Sequence, residues 1–238
     1  MNFNIVNIED IKIEDEKIDL NKQLSAIKKD KISKIYAGLK TGDIILFSSD
    51  EGCSSSWIGC LSQLIKCWTC SEYTHVGIIL VNPIWLDSKL QGVYVWESGI
   101  QVFPDADNNN KNTFGVRLSK IEDCIEHYIG NIKYRSISKE LDIKQLSILK
   151  CLYDENEGKP YDTKILHWFR VAFDLHIGDV YNTREFFCSA WVLYILCQLN
   201  IVDKNTRPWK LCQPKHLSSK YLNECINGFS FAKEKIIR

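Results

Sequence analysis

The 238-residue sequence lacks an excess of charge of either sign, because 30 lysines and arginines balance 30 aspartates and glutamates. A protein that coats nucleic acid or an anionic membrane derives its affinity from surplus Lys and Arg. The balance therefore argues against that class of protein and predicts no nucleic-acid partner.

Long apolar runs are also missing, and the N-terminal residues predict no secretory leader. The apolar run over 189–202 is shorter than the roughly 20 residues that cross a bilayer. The N-terminus becomes acidic from its ninth residue and has no basic segment followed by an apolar block. The ten cysteines therefore predict mostly free thiols in a reducing, cytoplasmic compartment, not a disulfide framework.

Several common enzyme motifs are absent as well. The sequence contains no Walker motif, no nucleotide-binding glycine loop, no GxSxG elbow and no HExxH pair. These absences disfavour the corresponding enzyme classes, and we predict no cofactor.

Hydrophobic residues (45%) and charged residues (25%) are present in the proportions of an ordinary globular protein. Residues 1–37 carry apolar side chains at helical spacing, which predicts an N-terminal amphipathic extension that ends near Gly38. Residues 38–238 are predicted to form one main domain. The chain length suits a single core of this kind.

Short apolar segments separated by turn residues dominate the first half of the main domain. They predict a small antiparallel sheet or half-barrel, with a helix over 54–66 between the first two strands. The predicted strands are 43–47, 76–81, 93–97, 100–103 and 114–118.

Helical patterns dominate the second half, so the predicted fold class is α+β. Ser119 and Glu122 have the spacing of a capping box, which predicts a helix over 121–128. A second helix is predicted over 142–158. Residues 189–199 are apolar on nearly all sides, which is typical of a helix at the centre of a fold.

Cys188 immediately precedes this central helix. A helix start presents unpaired N–H groups and partial positive charge, and both stabilise a thiolate. The same N–H groups can hold the oxyanion that forms when a thiolate attacks a carbonyl. Cys188 is therefore the candidate nucleophile, and a buried core thiol is the alternative.

His75 and Glu97 stand at the ends of two strands that an 11-residue loop, residues 82–92, connects. In an antiparallel hairpin they would lie almost directly opposite each other, with Cβ atoms about 4.5–5.5 Å apart. A carboxylate there can fix the imidazole tautomer and support imidazolium. We therefore predict that Cys188 attacks, His75 takes its proton and Glu97 orients His75. A register slip of one residue, or a solvated Glu97, would break the arrangement.

The segments TGDIILF, YTHVGIIL, VWESG, GKPYD, FFCSAWV and QPKHL follow one another over about residues 38–220. Together they resemble the circularly permuted branch of the NlpC-type papain-like superfamily, nearest to its YiiX-like group. Lecithin retinol acyltransferase-like enzymes and proteins of poxviruses and giant viruses are more distant members. With the abundance of Ile, Lys and Asn, the resemblance suggests a viral source, and hence the host cytoplasm or the virion.

The resemblance implies a permuted papain-like fold, in which a small antiparallel β-barrel or sheet packs on a helical subdomain beside a cleft. It implies that Cys188 is the nucleophile, His75 the general base and Glu97 the third polar residue. The implied activity is that of a cysteine-dependent hydrolase or acyltransferase. It would act on an amide or ester bond of a peptide or lipid, through a thioester and without a metal.

Tyr161 and Asp162 match a Tyr–Asp pair that recurs near the cleft in the resembling proteins, which implies contact with substrate. From the residues alone, the pair is equally typical of a turn that ends a helix, with Asp162 capping the next one. The apolar, aromatic segment 166–181 is a groove or a core helix. Trp57 and Trp68 would form a lipid-facing lip, giving peripheral membrane contact, or belong to the core.

Two readings are not enzymatic. Cys60, Cys67, Cys70 and His75 include one CxxC pair and would suit a tetrahedral zinc module, which would take His75 from the catalytic group. The other reading is a family member that has lost catalysis and serves as a binding or structural protein.

Overall fold

The computed structural model describes residues 33, 34, 36–49, 71–99, 115–156 and 187–238. Contacts divide the chain into two units, Met1–Gly38 and Leu39–Arg238. The described part of the first unit is one helical turn, in which the Ala37 N–H donates to the Ser33 carbonyl at 3.0 Å. The remainder of the predicted amphipathic extension lies outside the described residues.

The second unit is built on an antiparallel sheet, so the fold is α+β as the sequence predicts. Six strands are assigned among the described residues, and their spatial order is β4-β3-β2-β1-β5-β6. In chain order they are β1 (Ile44–Ser49), β2 (His75–Val81), β3 (Val93–Gly99), β4 (Gly115–Lys120), β5 (Gly130–Arg135) and β6 (Lys235–Ile236).

Three helices of the described chain accompany the sheet: α1 (Ile121–His127), α2 (Ile143–Asn156) and α3 (Cys188–Gln198). Helix α2 begins at a reciprocal capping box, because the Gln145 N–H donates to Asp142 Oδ1 at 2.8 Å and the Asp142 N–H donates to Gln145 Oε1 at 3.1 Å. Two 3-10 turns follow α3, at Trp209–Leu211 and Pro214–Leu217. No helix within the described ranges is long and apolar enough to cross a membrane.

Helix α3 is the central helix that the apolar run predicts. It packs against β2 and β3, and its Trp191 meets Trp96 of β3 edge-on, with ring centroids 4.8 Å apart. Both indole side chains are buried, and aromatic pairs in this geometry add stabilisation beyond their buried area. This contact fixes the start of α3 relative to the strands that carry the site.

The predicted capping box at Ser119 is wrong. Ser119 belongs to β4, because the β3–β4 ladder continues to the pair Tyr94↔Lys120, and α1 begins after Lys120 without a side-chain cap. The Ser119 hydroxyl donates to Glu97 instead. A serine in this pattern can cap a helix or belong to a strand. Here strand pairing continues two residues beyond the predicted end at 118, so Ser119 belongs to the strand.

Strand β5 is absent from the sequence prediction because lysine and arginine interrupt its apolar pattern. Arg135, its last residue, is 1% exposed and donates to backbone carbonyls of the C-terminal segment. The acceptors include Ala232 at 2.9 Å, Leu217 at 2.8 Å and Leu222 at 3.0 Å. Arg135 thus links the C-terminal segment to the sheet, and the acceptors of these hydrogen bonds are neutral carbonyl groups.

The predicted helix over 54–66, the predicted strand over 100–103 and the segment 166–181 lie outside the described residues.

Candidate active site

The site forms where β2 begins and β3 ends. The ladder between them runs from Val81↔Val93 to Ile78↔Trp96, and its continuation sets Glu97 across from Gly77 and His75 across from Gly99. The two side chains are therefore diagonal neighbours on one face and not the almost directly opposite pair that we expect from the sequence. The register follows the midpoint of the 82–92 loop, residue 87, whereas the midpoint of His75 and Glu97 is residue 86. They still meet, because His75 Nε2 is hydrogen-bonded to Glu97 Oε2.

Glycines at the two opposing positions permit this diagonal approach. A Cβ atom added at Gly99 would lie 3.4 Å from both His75 Cε1 and Arg117 Nη2. A Cβ added at Gly77 would lie 2.5 Å from Val95 Cγ1 and 3.4 Å from Glu97 Cβ. The space that a side chain would fill at each position is taken by the imidazole, the carboxylate and their neighbours.

We predict that Gly77→Ala lowers the free energy of unfolding by about 1–3 kcal/mol, because the new methyl overpacks a sheet with no room for it. Urea unfolding monitored by tryptophan fluorescence measures the change. The matched background is Val95→Ala, which removes the contacting Cγ1. Gly77→Ala should cost clearly less in that background, and an equal cost in both would contradict the steric explanation.

Glu97 is held from its other side by β4. Arg117 faces it across the β3–β4 ladder and donates to Glu97 Oε1 from both Nε and Nη2, each at 3.1 Å. The Ser119 hydroxyl donates to the same oxygen at 3.1 Å. The side chains of Glu97 and Arg117 are both 0% exposed. The site therefore contains a fully buried ion pair that the sequence analysis does not predict.

Burial by itself would raise the pKa of Glu97, but the guanidinium of Arg117 and then His75 oppose it and lower that pKa to about 2. Burial would likewise lower the pKa of His75, but the charge of Glu97 and then the interaction with Cys188 raise it to about 10. Glu97 is therefore a carboxylate, and His75 an imidazolium, at neutral pH. His75 can therefore supply a proton at neutral pH.

Cys188 completes the group. It is the first residue of α3, after Phe187 in extended conformation, and its side chain lies close enough to His75 to interact with the imidazole. The next residue, Ser189, donates its hydroxyl to the Cys212 carbonyl at 2.6 Å, which orients the start of the helix. Cys188 is 4% exposed and His75 is 7% exposed. The structure thus brings Cys188, His75 and Glu97 together in a buried cluster.

The other sequence predictions for the site fall elsewhere. Tyr161 and Asp162, the predicted substrate contacts, lie outside the described residues. So do Cys60, Cys67 and Cys70 of the zinc alternative. Within the described ranges, no cluster of three or more His, Cys, Asp or Glu side chains is arranged to hold a metal ion.

Arg117 and Ser119 are the site residues that sequence reasoning misses. Strand alternation gives a signal for them, since every second residue of GVRLSK faces the same side and the β3–β4 pairing sets Arg117 against Glu97. That signal is read only when the two strands are known to be neighbours in register.

The pKa shifts of His75 and Glu97 predict how the free energy of unfolding depends on pH. The pKa of His75 rises from 6.5 to about 10, so its contribution is fully present below about pH 6.5 and is lost as pH rises through about 10. The pKa of Glu97 falls from 4.5 to about 2, so its contribution is fully present above about pH 4.5 and is lost as pH falls towards 2. We expect the stability difference between wild type and His75→Gln, measured by urea unfolding, to be constant in mild acid and to shrink towards pH 10. A difference that grows with pH would contradict this assignment.

No protein-family model matches this chain, and no curated protein matches it. Among solved structures, the chain is similar to the metalloprotein YiiX from Escherichia coli O157:H7, with a TM-score of 0.43 and 22% sequence identity. The match covers 68% of this chain and 67% of that one. The likeness concerns the course of the backbone and assigns no role to any residue here.

Proposed function

We propose that this protein is a cysteine-dependent acyl hydrolase or acyltransferase with a permuted papain-like fold of the NlpC type. The observation that carries the proposal is the hydrogen bond between His75 and Glu97, with Cys188 beside the same imidazole. A thiol, an imidazole and an orienting carboxylate in contact are the parts that nucleophilic catalysis by cysteine requires.

In the proposed reaction, the Cys188 thiolate attacks the carbonyl carbon of an ester or amide, and the carbonyl oxygen becomes an oxyanion. Backbone N–H groups at the start of α3 stabilise it. The bond to the leaving oxygen or nitrogen then breaks, and the leaving group takes the proton of the His75 imidazolium. A thioester remains on Cys188. Water, an amine or an alcohol attacks it, gives its proton to the now neutral His75, and releases the acyl product.

The experiment uses p-nitrophenyl acetate and p-nitrophenyl octanoate as small and lipid-like acyl donors. We expect a burst of p-nitrophenolate and, by intact mass and peptide mapping, an acyl adduct on Cys188. Cys188→Ala should give neither, while Cys151→Ala, which removes an exposed thiol on α2, should give both. Addition of glycine methyl ester as acceptor separates transfer from hydrolysis. An acyl adduct that forms equally in Cys188→Ala would overturn the proposal.

The proposed substrate is a peptide or a lipid that carries an acyl group. We also propose that the protein contacts membranes peripherally and is located in the cytoplasm. Tyr161 and Asp162 stay predicted substrate contacts.

One observation favours a second candidate, a non-catalytic binding protein of the same fold. Cys188 and His75 are almost completely buried, so substrate reaches the sulfur only after covering residues move. The rate at which iodoacetamide labels Cys188, compared with the other thiols, separates the two candidates.

A further inference from the structure

Glu97 is a charged group that solvent does not reach. Its side chain is 0% exposed, and an isolated buried carboxylate would take up a proton to escape the cost of desolvation. A neutral Glu97 would no longer favour a proton on His75. The charge state of His75 therefore depends on whatever keeps Glu97 ionised.

The contacts divide the two oxygens of Glu97 between two tasks. Oε1 accepts three hydrogen bonds, two from Arg117 and one from Ser119. Oε2 is bonded to His75 Nε2. Because two donors of one planar guanidinium meet a single oxygen, the carboxylate is fixed and its second oxygen remains directed at the imidazole.

Charges of opposite sign alternate through the cluster. The guanidinium of Arg117 faces the carboxylate of Glu97, which faces the imidazolium of His75, and Cys188 interacts with that imidazolium. Cys124 of α1 lies near Glu97 and Arg117, and burial raises its pKa well above the ordinary range, so it stays neutral. Burial also raises the pKa of Cys212, the thiol near Cys188. Because both thiols are neutral, they do not interrupt the alternation of positive and negative charges.

The geometry points to Arg117 as a positioning residue of this site: it keeps Glu97 ionised and reserves one carboxylate oxygen for His75. This inference deepens the proposed function and rests on it for the meaning of the site. The charge coupling itself is measurable whether or not the protein turns over an ester.

The test is a titration of the His75 imidazole by nuclear magnetic resonance, on the full chain with 15N-labelled histidine. The spectrum of His75→Gln identifies the His75 signals among those of the five histidines. In wild type, His75 should remain protonated across the neutral range. In Arg117→Gln we expect its midpoint to fall by at least about 2 pH units, because a neutral Glu97 withdraws the opposing charge. Arg117→Lys, which keeps the charge but not the paired donors, should give an intermediate midpoint.

Arg135 supplies the matched control. It is an equally buried arginine of the same sheet, but the hydrogen bonds described above run to backbone carbonyls. Arg135→Gln should lower stability and leave the His75 midpoint unchanged. Circular dichroism verifies that each variant is folded, and Arg117→Lys decides the matter if Arg117→Gln does not fold.

An unchanged His75 midpoint in the folded Arg117 variants would overturn the inference, as would an equal shift in Arg135→Gln. A protein inactive towards esters whose His75 midpoint still depends on Arg117 would support this inference and defeat the proposed function. An active protein whose midpoint ignores Arg117 would do the reverse.

Discussion

Iodoacetamide is expected to alkylate Cys188 at least about tenfold faster than the other thiols at pH 6, where ordinary cysteines are mostly protonated. The His75 imidazolium and the N–H groups at the start of α3 both favour negative charge on this sulfur. Other buried thiols face the opposite influence, since burial raises the pKa of Cys197 to about 11. Peptide mapping of briefly labelled protein measures the rates.

His75→Ala should remove most of this selectivity, because the imidazolium disappears. Cys151→Ala is the control that should retain it. Uniform slow labelling of every thiol in wild type would refute the enzyme and leave the non-catalytic binding protein as the better account of the cluster.

Glu97→Gln is expected to lower the free energy of unfolding by about 3–5 kcal/mol, the usual cost of removing one partner from a buried ion pair. The guanidinium of Arg117 would remain at 0% exposure without its opposing charge. Chemical unfolding at neutral pH measures the loss. Combining Glu97→Gln with Arg117→Gln removes both charges and should recover part of it.

Glu72→Gln is the matched surface substitution. Glu72 pairs with Lys133 at 3.3 Å, but its side chain is 61% exposed, so its loss should cost no more than about 0.5 kcal/mol. Equal losses for Glu72→Gln and Glu97→Gln would contradict the assignment of Glu97 to a desolvated pair.

Local patterns predict the parts of this fold that local forces determine. Helix α2 and the apolar helix α3 are visible in the sequence because their residues interact within a few positions of one another. The pairing of His75 with Glu97 is predicted to within two residues because the length of one loop limits the register of one hairpin. Symmetric extension of that loop pairs Gly77 with Glu97 and His75 with Gly99, so the diagonal offset follows from the loop length. What the loop length does not report is that glycines at 77 and 99 leave room for the two side chains to meet.

Arg117 could not be placed in the same way. An arginine on a strand is ordinarily solvated, and its burial here depends on the neighbour relation between β3 and β4 and on what covers their shared face. Ser119 illustrates the same limit, since its spacing to Glu122 suits a helix cap while its actual partner is on another strand. Contacts between segments that are distant in the sequence determine the surroundings of both residues.

The two glycines yield a compact signature for recognising related chains. His75 and Glu97 are each followed two positions later by Gly, so the acid–base couple is written as His-x-Gly and Glu-x-Gly on adjoining strands. A side chain at either position would press on its neighbours, most severely at Gly77, where an added Cβ would lie 2.5 Å from Val95 Cγ1. A survey of distant sequences for both tripeptides, together with an arginine on the following strand, would therefore distinguish homologues that keep the group of Arg117, Glu97, His75 and Cys188 from those that have lost it.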